Sequence, residues 1–247
     1  MRSLFALILI LLSSCSVSAQ EKPKLLVTPL NDQVYVHTTY GLYNKAVIPS
    51  NGLIVKTNDG IVLVDTGWDS DGDTDNTRQL LHWVADSLRQ PVRLCIITHA
   101  HDDKVGGINE LRKAGIRVIS TPLTARKTAK LDYQAPDGIL PTDTTFMIGL
   151  EPIRCYFPGE GHTNDNIVVW LPNQHILYGG CLIKSVAAFG MGNVADANLT
   201  TWSGSIRNVM KQFGTARIVV PGHENWGDTK LLQHTLHLLT KHAASQK

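Results

Sequence analysis

The sequence predicts a single mixed α/β domain, on three observations. Apolar residues first alternate at strand spacing, the spacing turns helical after residue 75, and strand-like and helix-like runs then interleave to the C-terminus. At 247 residues, 43% of them hydrophobic, the chain can bury a full core. No internal repeat, low-complexity stretch or linker divides it, so residues 20–247 are read as one domain.

The first nineteen residues stand apart. Arg2 precedes an apolar run from Leu4 to Leu12, and Val17-Ser18-Ala19 fits a small-residue cleavage site ahead of Gln20. The run is too short to span a bilayer as a mature helix. Residues 1–19 therefore read as a removed secretory signal, which puts the folded domain outside the cytoplasm, in a bacterial periplasm. A second cut competes, because Leu12-Ser13-Ser14-Cys15 resembles a lipobox and would leave a lipid anchor on Cys15.

Within the domain, Val34–His37 alternates like a half-buried strand, and a turn-rich segment is expected from Thr39 to Ser50. Strands follow at Leu53–Val55 and Ile61–Val64, joined by the turn Asn58-Asp59-Gly60. Leu80, Leu81, Val84 and Leu88 then share one helical face, with Asp75 or Asn76 as its cap. A strand at Leu94–Ile97, a short helix over Ile108–Ala114 closed by Gly115, and a strand at Ile116–Ile119 come next. Further strands are expected at Ile153–Phe157, Ile167–Leu171, Gln174–Tyr178 and Arg217–Val220, with helices at Leu199–Phe213 and Thr229–His242.

Net charge is only +2, and no basic stripe or aromatic-interleaved basic patch marks a nucleic-acid partner. Four cysteines are too few for a disulfide scaffold once Cys15 goes to the signal. Cys95 and Cys155 sit in apolar strands and read as buried small hydrophobes. Cys181 is left needing another use.

That use is metal binding. His99-Ala100-His101-Asp102-Asp103 directly follows a strand, and in an extended segment His99, His101 and Asp103 project to one side. Imidazole and carboxylate are good zinc ligands, and ligand sites gather where strands end. Three more candidates repeat the placement. His162 follows Pro158-Gly159-Glu160-Gly161, Cys181 follows Gly179-Gly180, and His223 follows Pro221-Gly222, each after a strand and a tight turn. Six ligands exceed the four of one tetrahedral zinc, so two sites with three protein ligands and an open position each are the natural division. The remaining histidines, His37, His82, His175, His234, His237 and His242, lack converging partners, and His234 and His237 read as a solvated helix face.

Taken together, these motifs resemble the metallo-β-lactamases, and within them the first subclass of class B. The resemblance also rests on Ile48-Pro49-Ser50-Asn51-Gly52, Leu63-Val64-Asp65-Thr66-Gly67-Trp68-Asp69, Gly161-His162-Thr163-Asn164-Asp165-Asn166 and Gly179-Gly180-Cys181-Leu182-Ile183-Lys184. It runs from about Val34 to the C-terminal helix. It implies a four-layer αββα sandwich in which two central mixed sheets are flanked by helices, and a monomer.

The resemblance also implies the chemistry: two Zn2+ per chain and hydrolysis of the β-lactam amide of penicillins, cephalosporins and carbapenems by a metal-bound hydroxide. His99, His101 and His162 would hold one zinc, and Asp103, Cys181 and His223 the other. Lys184 would pair with the substrate carboxylate, and Asn193 would bind substrate or the oxyanion. Asp103, Lys184 and Asn193 are thus the catalytic candidates. Asp65 and Asp69 would orient the ligands, and Tyr40–Val47 would cover the substrate. Subclasses and thioester hydrolases with histidine after the aspartate differ here, since this chain has Lys104. The mono-zinc subclass has asparagine at His99. Lys104 stands where many relatives carry arginine, a departure that bears on the affinity of the second zinc site. A lactone, thioester or phosphoester hydrolase is the nearest competing class. A zinc store is a more distant one, disfavoured because the ligands divide three and three.

Overall fold

Strand alternation sorts side chains onto two faces, and in this chain both faces are covered. In the computed structural model, which describes residues 25–69 and 75–246, Val62 and Val64 face a core between two sheets while Ile61 and Leu63 face helices. The same split separates Val169 and Leu171 from Val168 and Trp170 in the other sheet. The proposed signal, Cys15 and the cut before Gln20 lie outside the described residues.

The first sheet holds seven strands in chain order: β1 (Leu26–Pro29), β2 (Val34–Tyr43), β3 (Ala46–Thr57), β4 (Gly60–Val64), β5 (Val92–Ile96), β6 (Arg117–Ser120) and β7 (Asp137–Gly138). It is antiparallel from β1 to β4 and parallel from β4 to β7. The second has the order β12-β11-β10-β9-β8, from β8 (Asp143–Ile148), β9 (Glu151–Tyr156), β10 (Val168–Leu171), β11 (Ile176–Gly180) and β12 (Ile218–Pro221). Only β11 and β12 pair in parallel there. Helices α1 (Asn76–Trp83), α2 (Asp102–Val105) and α3 (Ile108–Lys113) contribute to the outer core of the first sheet. Helix α4 (Pro122–Thr128) packs beside β7. Helices α5 (Leu199–Phe213) and α6 (Lys230–Ser245) cover the second sheet through Trp202, Ile206, Val209, Phe213, Leu231 and Leu238. The layers are αββα, as expected. Cys95 and Cys155 are free and buried in the cores.

Three expectations need correcting. The stretch from Thr39 to Ser50 is no extended turn region but the far end of a long hairpin, with Tyr43 paired to Ala46 and the reversal confined to Asn44-Lys45. Both turn residues have positive φ, 49° and 67°, the form that matches strand twist in two-residue hairpins. Asp75 does not cap α1 with its side chain; the carboxylate of Asp69 accepts the N–H of Asn76 at 3.0 Å instead. Asp69 therefore serves α1 rather than the histidines. Residues 121–150, where no element was expected, fold as α4, β7 and β8. Helix α4 carried a readable start: Thr121 accepts the N–H of Thr124 at 3.1 Å, and Pro122 opens the first turn.

The sandwich core should dominate stability. Ile96→Ala, in the layer between the sheets, should lower the unfolding free energy by about 2–5 kcal/mol, because its cavity cannot collapse. Leu150→Ala, at a position 74% exposed, should change it by less than about 0.5 kcal/mol. Urea unfolding followed by circular dichroism checks both.

Candidate metal centre and cleft

The chain leaves β5 at Ile96 and is immediately pinned. Asp65, buried at the end of β4 with φ 60°, accepts the N–H of Thr98 at 2.8 Å through one oxygen. Its other oxygen accepts the Thr98 and Tyr178 hydroxyls, each at 2.8 Å. Burial raises the Asp65 pKa, and Lys104 and these three donors limit the net rise to about 6, so it is a carboxylate at neutral pH. With its proton committed to Asp65, the Thr98 hydroxyl is left as acceptor for His99 Nδ1–H at 3.2 Å. That fixes the imidazole tautomer and leaves Nε2 as a lone-pair atom, buried and without a hydrogen-bond partner among the described residues.

His101 follows in extended conformation and opens α2, so the chain curls before Asp103. The strand-spacing argument thus holds for His99 and His101. Asp103 joins them from the first helical turn, with ligand atoms of all three within 4.8 Å of one another. His162 arrives from the loop after β9. The rings of His99, His101 and His162 stand edge to face, with centroids 4.9, 5.0 and 5.1 Å apart, and His101 Nδ1 lies 3.1 Å from His162 Nε2. The second trio meets beside them. Cys181 Sγ lies 3.2 Å from His223 Nε2 and 3.5 Å from Asp103 Oδ2, and His223 Nδ1 donates to the Pro49 carbonyl at 2.6 Å.

Two glycines allow this convergence. Gly180 turns β11 with φ 52°. A Cβ on Gly222 would come 2.6 Å from Cys181 Sγ and 2.7 Å from its nitrogen, so only glycine lets the two loops touch. The loops are stitched by Gly222 N–H to the Gly180 carbonyl at 2.8 Å and Asn51 N–H to the Gly222 carbonyl at 2.9 Å.

Electrostatics suits a cation. Burial alone would raise the Asp103 carboxyl, yet Lys104, and then His223, carry it well below the usual carboxylate range. Burial lowers His99 and His162 well below the ordinary imidazole value and His223 to about 4, so all three are neutral imidazoles. Burial, then Asp103, push the Cys181 thiol up, so it ionises when a cation takes it. A carboxylate, a thiol and neutral imidazoles with an unpartnered buried nitrogen form a donor set that fits zinc.

Four further residues, Asp165, Lys127, Asp196 and Ser50, support the site and had no signal strong enough to be singled out. Asp165 accepts the Ala100 N–H at 3.0 Å and pairs with Lys127 at 2.8 Å, holding the link between His99 and His101. Asp196 accepts from His101 Nε2 at 2.8 Å. Ser50 donates to the Asp103 carbonyl at 2.8 Å and accepts from Lys104 Nζ at 2.7 Å. Asp165 and Ser50 lie in motifs that carry the family resemblance, which was their one readable sign.

The centre opens into a cleft of about 900 Å3, lined among others by Tyr43, Trp68, His101, Lys184, Asn193 and His223. Lys184 is buried with its ammonium 5.3 Å from the Trp202 ring centre. Burial lowers its pKa, opposed by Cys181 and Asp103. Asn193 is exposed on the rim, its carboxamide oxygen accepting the Ala195 N–H at 3.1 Å. The hairpin presents exposed Leu42, Tyr43 and Val47. His37 is a buried core residue whose Nε2 lies 3.2 Å from the Asp65 carbonyl. His234 is not on a solvated face: it is half-buried and donates to the Ala188 carbonyl at 3.0 Å.

A family model described as the Metallo-beta-lactamase superfamily matches residues 46–223. A "Metallo-beta-lactamase type 2" of Bacillus sp. (strain 170) is 46% identical over 213 residues, spanning 86% of this chain and 81% of that protein. The solved metallo-beta-lactamase of Pontibacter korlensis superposes with a TM-score of 0.83 at 46% identity, covering 88% of this chain and 99% of that one. A metallo-beta-lactamase of Pseudomonas aeruginosa, solved in a mono-zinc form, gives a TM-score of 0.82 at 35% identity over 91% and 98%. This chain belongs to the metallo-β-lactamase superfamily.

Asp65→Asn replaces one acceptor oxygen with an amide facing hydroxyl or N–H donors. It should cost about 1–3 kcal/mol of unfolding free energy at unchanged volume, measured by urea titration of the metal-free protein.

Proposed function

We propose that this protein hydrolyses the amide bond of β-lactam antibiotics, penicillins, cephalosporins and carbapenems, and so confers resistance to them. We further propose two zinc ions, one held by His99, His101 and His162 and one by Asp103, Cys181 and His223. The observation that carries the reading is the convergence of six side chains able to ligate a metal, of which His101, Asp103, His162 and His223 line a cleft that also holds Lys184. Zinc bound there supplies Lewis acidity and lowers the pKa of water to roughly 7.

The chain's own groups do the rest. Lys184 pairs its ammonium with the substrate carboxylate, and its packing against Trp202 holds that charge in place. Asn193 offers an amide N–H to the lactam carbonyl oxygen as negative charge builds on it. Tyr43 and its hairpin neighbours close over the apolar part of the substrate and exclude bulk water. Water adds across the C–N bond: the carbonyl carbon gains the oxygen, and the ring nitrogen leaves as an amine that takes a proton. No serine nucleophile is required. Among the described residues no helix is long and apolar enough to cross a membrane. The N-terminal segment is read as the export signal of a periplasmic domain that works as a monomer, soluble if cut before Gln20 or lipid-anchored if cut before Cys15.

Purified mature protein should open a carbapenem with zinc present, lose that activity to a chelator and regain it on zinc addition, while metal analysis should give two zinc per chain. Zinc binding with no β-lactam opened would move the search to thioesters and lactones. Lys184→Ala should raise KM for a carboxylated β-lactam about tenfold or more, the scale of one charge-assisted hydrogen bond.

A further inference from the structure

After β11 the chain runs from Cys181 to Asn198 with almost no regular structure, yet it carries Cys181, Lys184 and Asn193. Backbone groups in such a segment must find side-chain or loop partners to be held in one arrangement. Two adjacent residues of α6 supply them. Thr235, fully buried, donates its hydroxyl proton to the Leu231 carbonyl at 2.8 Å, which leaves its oxygen to accept the Lys184 backbone N–H at 2.9 Å. His234 donates from Nε2 to the Ala188 carbonyl at 3.0 Å. Ser185 adds a third tie, to the Asn225 carbonyl at 2.8 Å. The polar ties to the helix thus fall at the start and middle of the loop, on either side of residues 185–187. Beyond Ala188 the loop exposes Phe189 at 93% and passes the cleft at Gly190, Gly192 and Asn193.

We propose that His234 and Thr235 are positioning residues for substrate: α6 clamps the backbone at Lys184 and Ala188, and so aims the Lys184 ammonium and sets the cleft wall that bears Phe189 and Asn193. The inference rests on the hydrolase reading above, because it takes Lys184 as the group that meets the substrate carboxylate. Neither residue touches a metal ligand's donor atoms, so the clamp acts on substrate binding and leaves the metal centre alone. An unpaired Lys184 N–H in a buried site has no solvent to turn to, and the segment would shift to satisfy it.

The test uses the zinc-loaded protein and three variants. Thr235→Val keeps the shape and removes the acceptor; Thr235→Ser restores it; His234→Ala releases Ala188. Thr235→Val should raise KM for a carboxylated β-lactam about fivefold to tenfold, with a smaller change in kcat, and Thr235→Ser should return it to within about twofold of the parent. His234→Ala should raise KM in the same direction. Zinc content should equal the parent's, and amide hydrogen exchange across residues 183–190 should quicken in Thr235→Val and His234→Ala. An active parent whose Thr235→Val and His234→Ala variants keep its KM and exchange overturns this inference alone. Equal loss in Thr235→Val and Thr235→Ser overturns it too, since the acceptor oxygen is then not the cause. A parent that opens no β-lactam overturns the hydrolase reading, and the clamp's role in substrate binding with it.

Discussion

An ammonium taken out of water must recover its lost hydration from the protein, and Lys104 does so with no solvent contact at all. Its three hydrogens reach Ser50 Oγ at 2.7 Å, the Asn51 carbonyl at 3.1 Å and the Gly222 carbonyl at 3.3 Å, and Asp103 Oδ2 lies 3.1 Å away. These partners belong to β3, to α2 and to the loop after β12, so one charge joins both sheets at the edge where the ligands meet. The same charge holds Asp103 ionised against its burial. Lysine satisfies this pocket as a single point charge with three donors, where an arginine fork would need a planar set of acceptors.

Burial acts on the rest of the centre in a consistent direction. It discharges the imidazoles of His99, His162 and His223, raises the Cys181 thiol, and leaves Asp103 as an anion only because Lys104 is beside it. The pocket therefore presents lone pairs and little compensating charge, which is the condition under which a divalent cation is the most favourable occupant. Three of the four rings are held through the other nitrogen: His99 through Thr98 and Asp65, His101 through Asp196, and His223 through Pro49.

The residues proposed to meet substrate are held differently from those proposed to hold metal. Cys181 and His223 follow the ends of β11 and β12 closely, His99 and His101 lie just past β5, and Asp103 and His162 come from α2 and the loop after β9. Lys184 and Asn193 lie on irregular chain, and their positions depend on long-range ties to α6 and to the loop at Asn225. Two elements frame the cleft, the β2–β3 hairpin and the segment after Cys181, and both expose large apolar side chains toward it.

Local patterns in the sequence determined the mixed α/β class and nominated the donor residues. In continuous apolar runs such as Ile61–Val64 and Val168–Leu171 every residue is buried, and pleating then alternates the side chains between the two cores. The HxHxD spacing and the strand-glycine-ligand repeats at His162, Cys181 and His223 encode where the donors emerge, since tight turns at strand ends leave few directions open. The tertiary structure decided the rest. That Asp165 braces the link between two histidines across 65 residues, and that His234 reaches back 46 residues to a loop carbonyl, are long-range pairings. Such pairings leave no periodic trace, because one hydrogen bond constrains two residues whose separation in sequence is set only by how the sheets and helices pack.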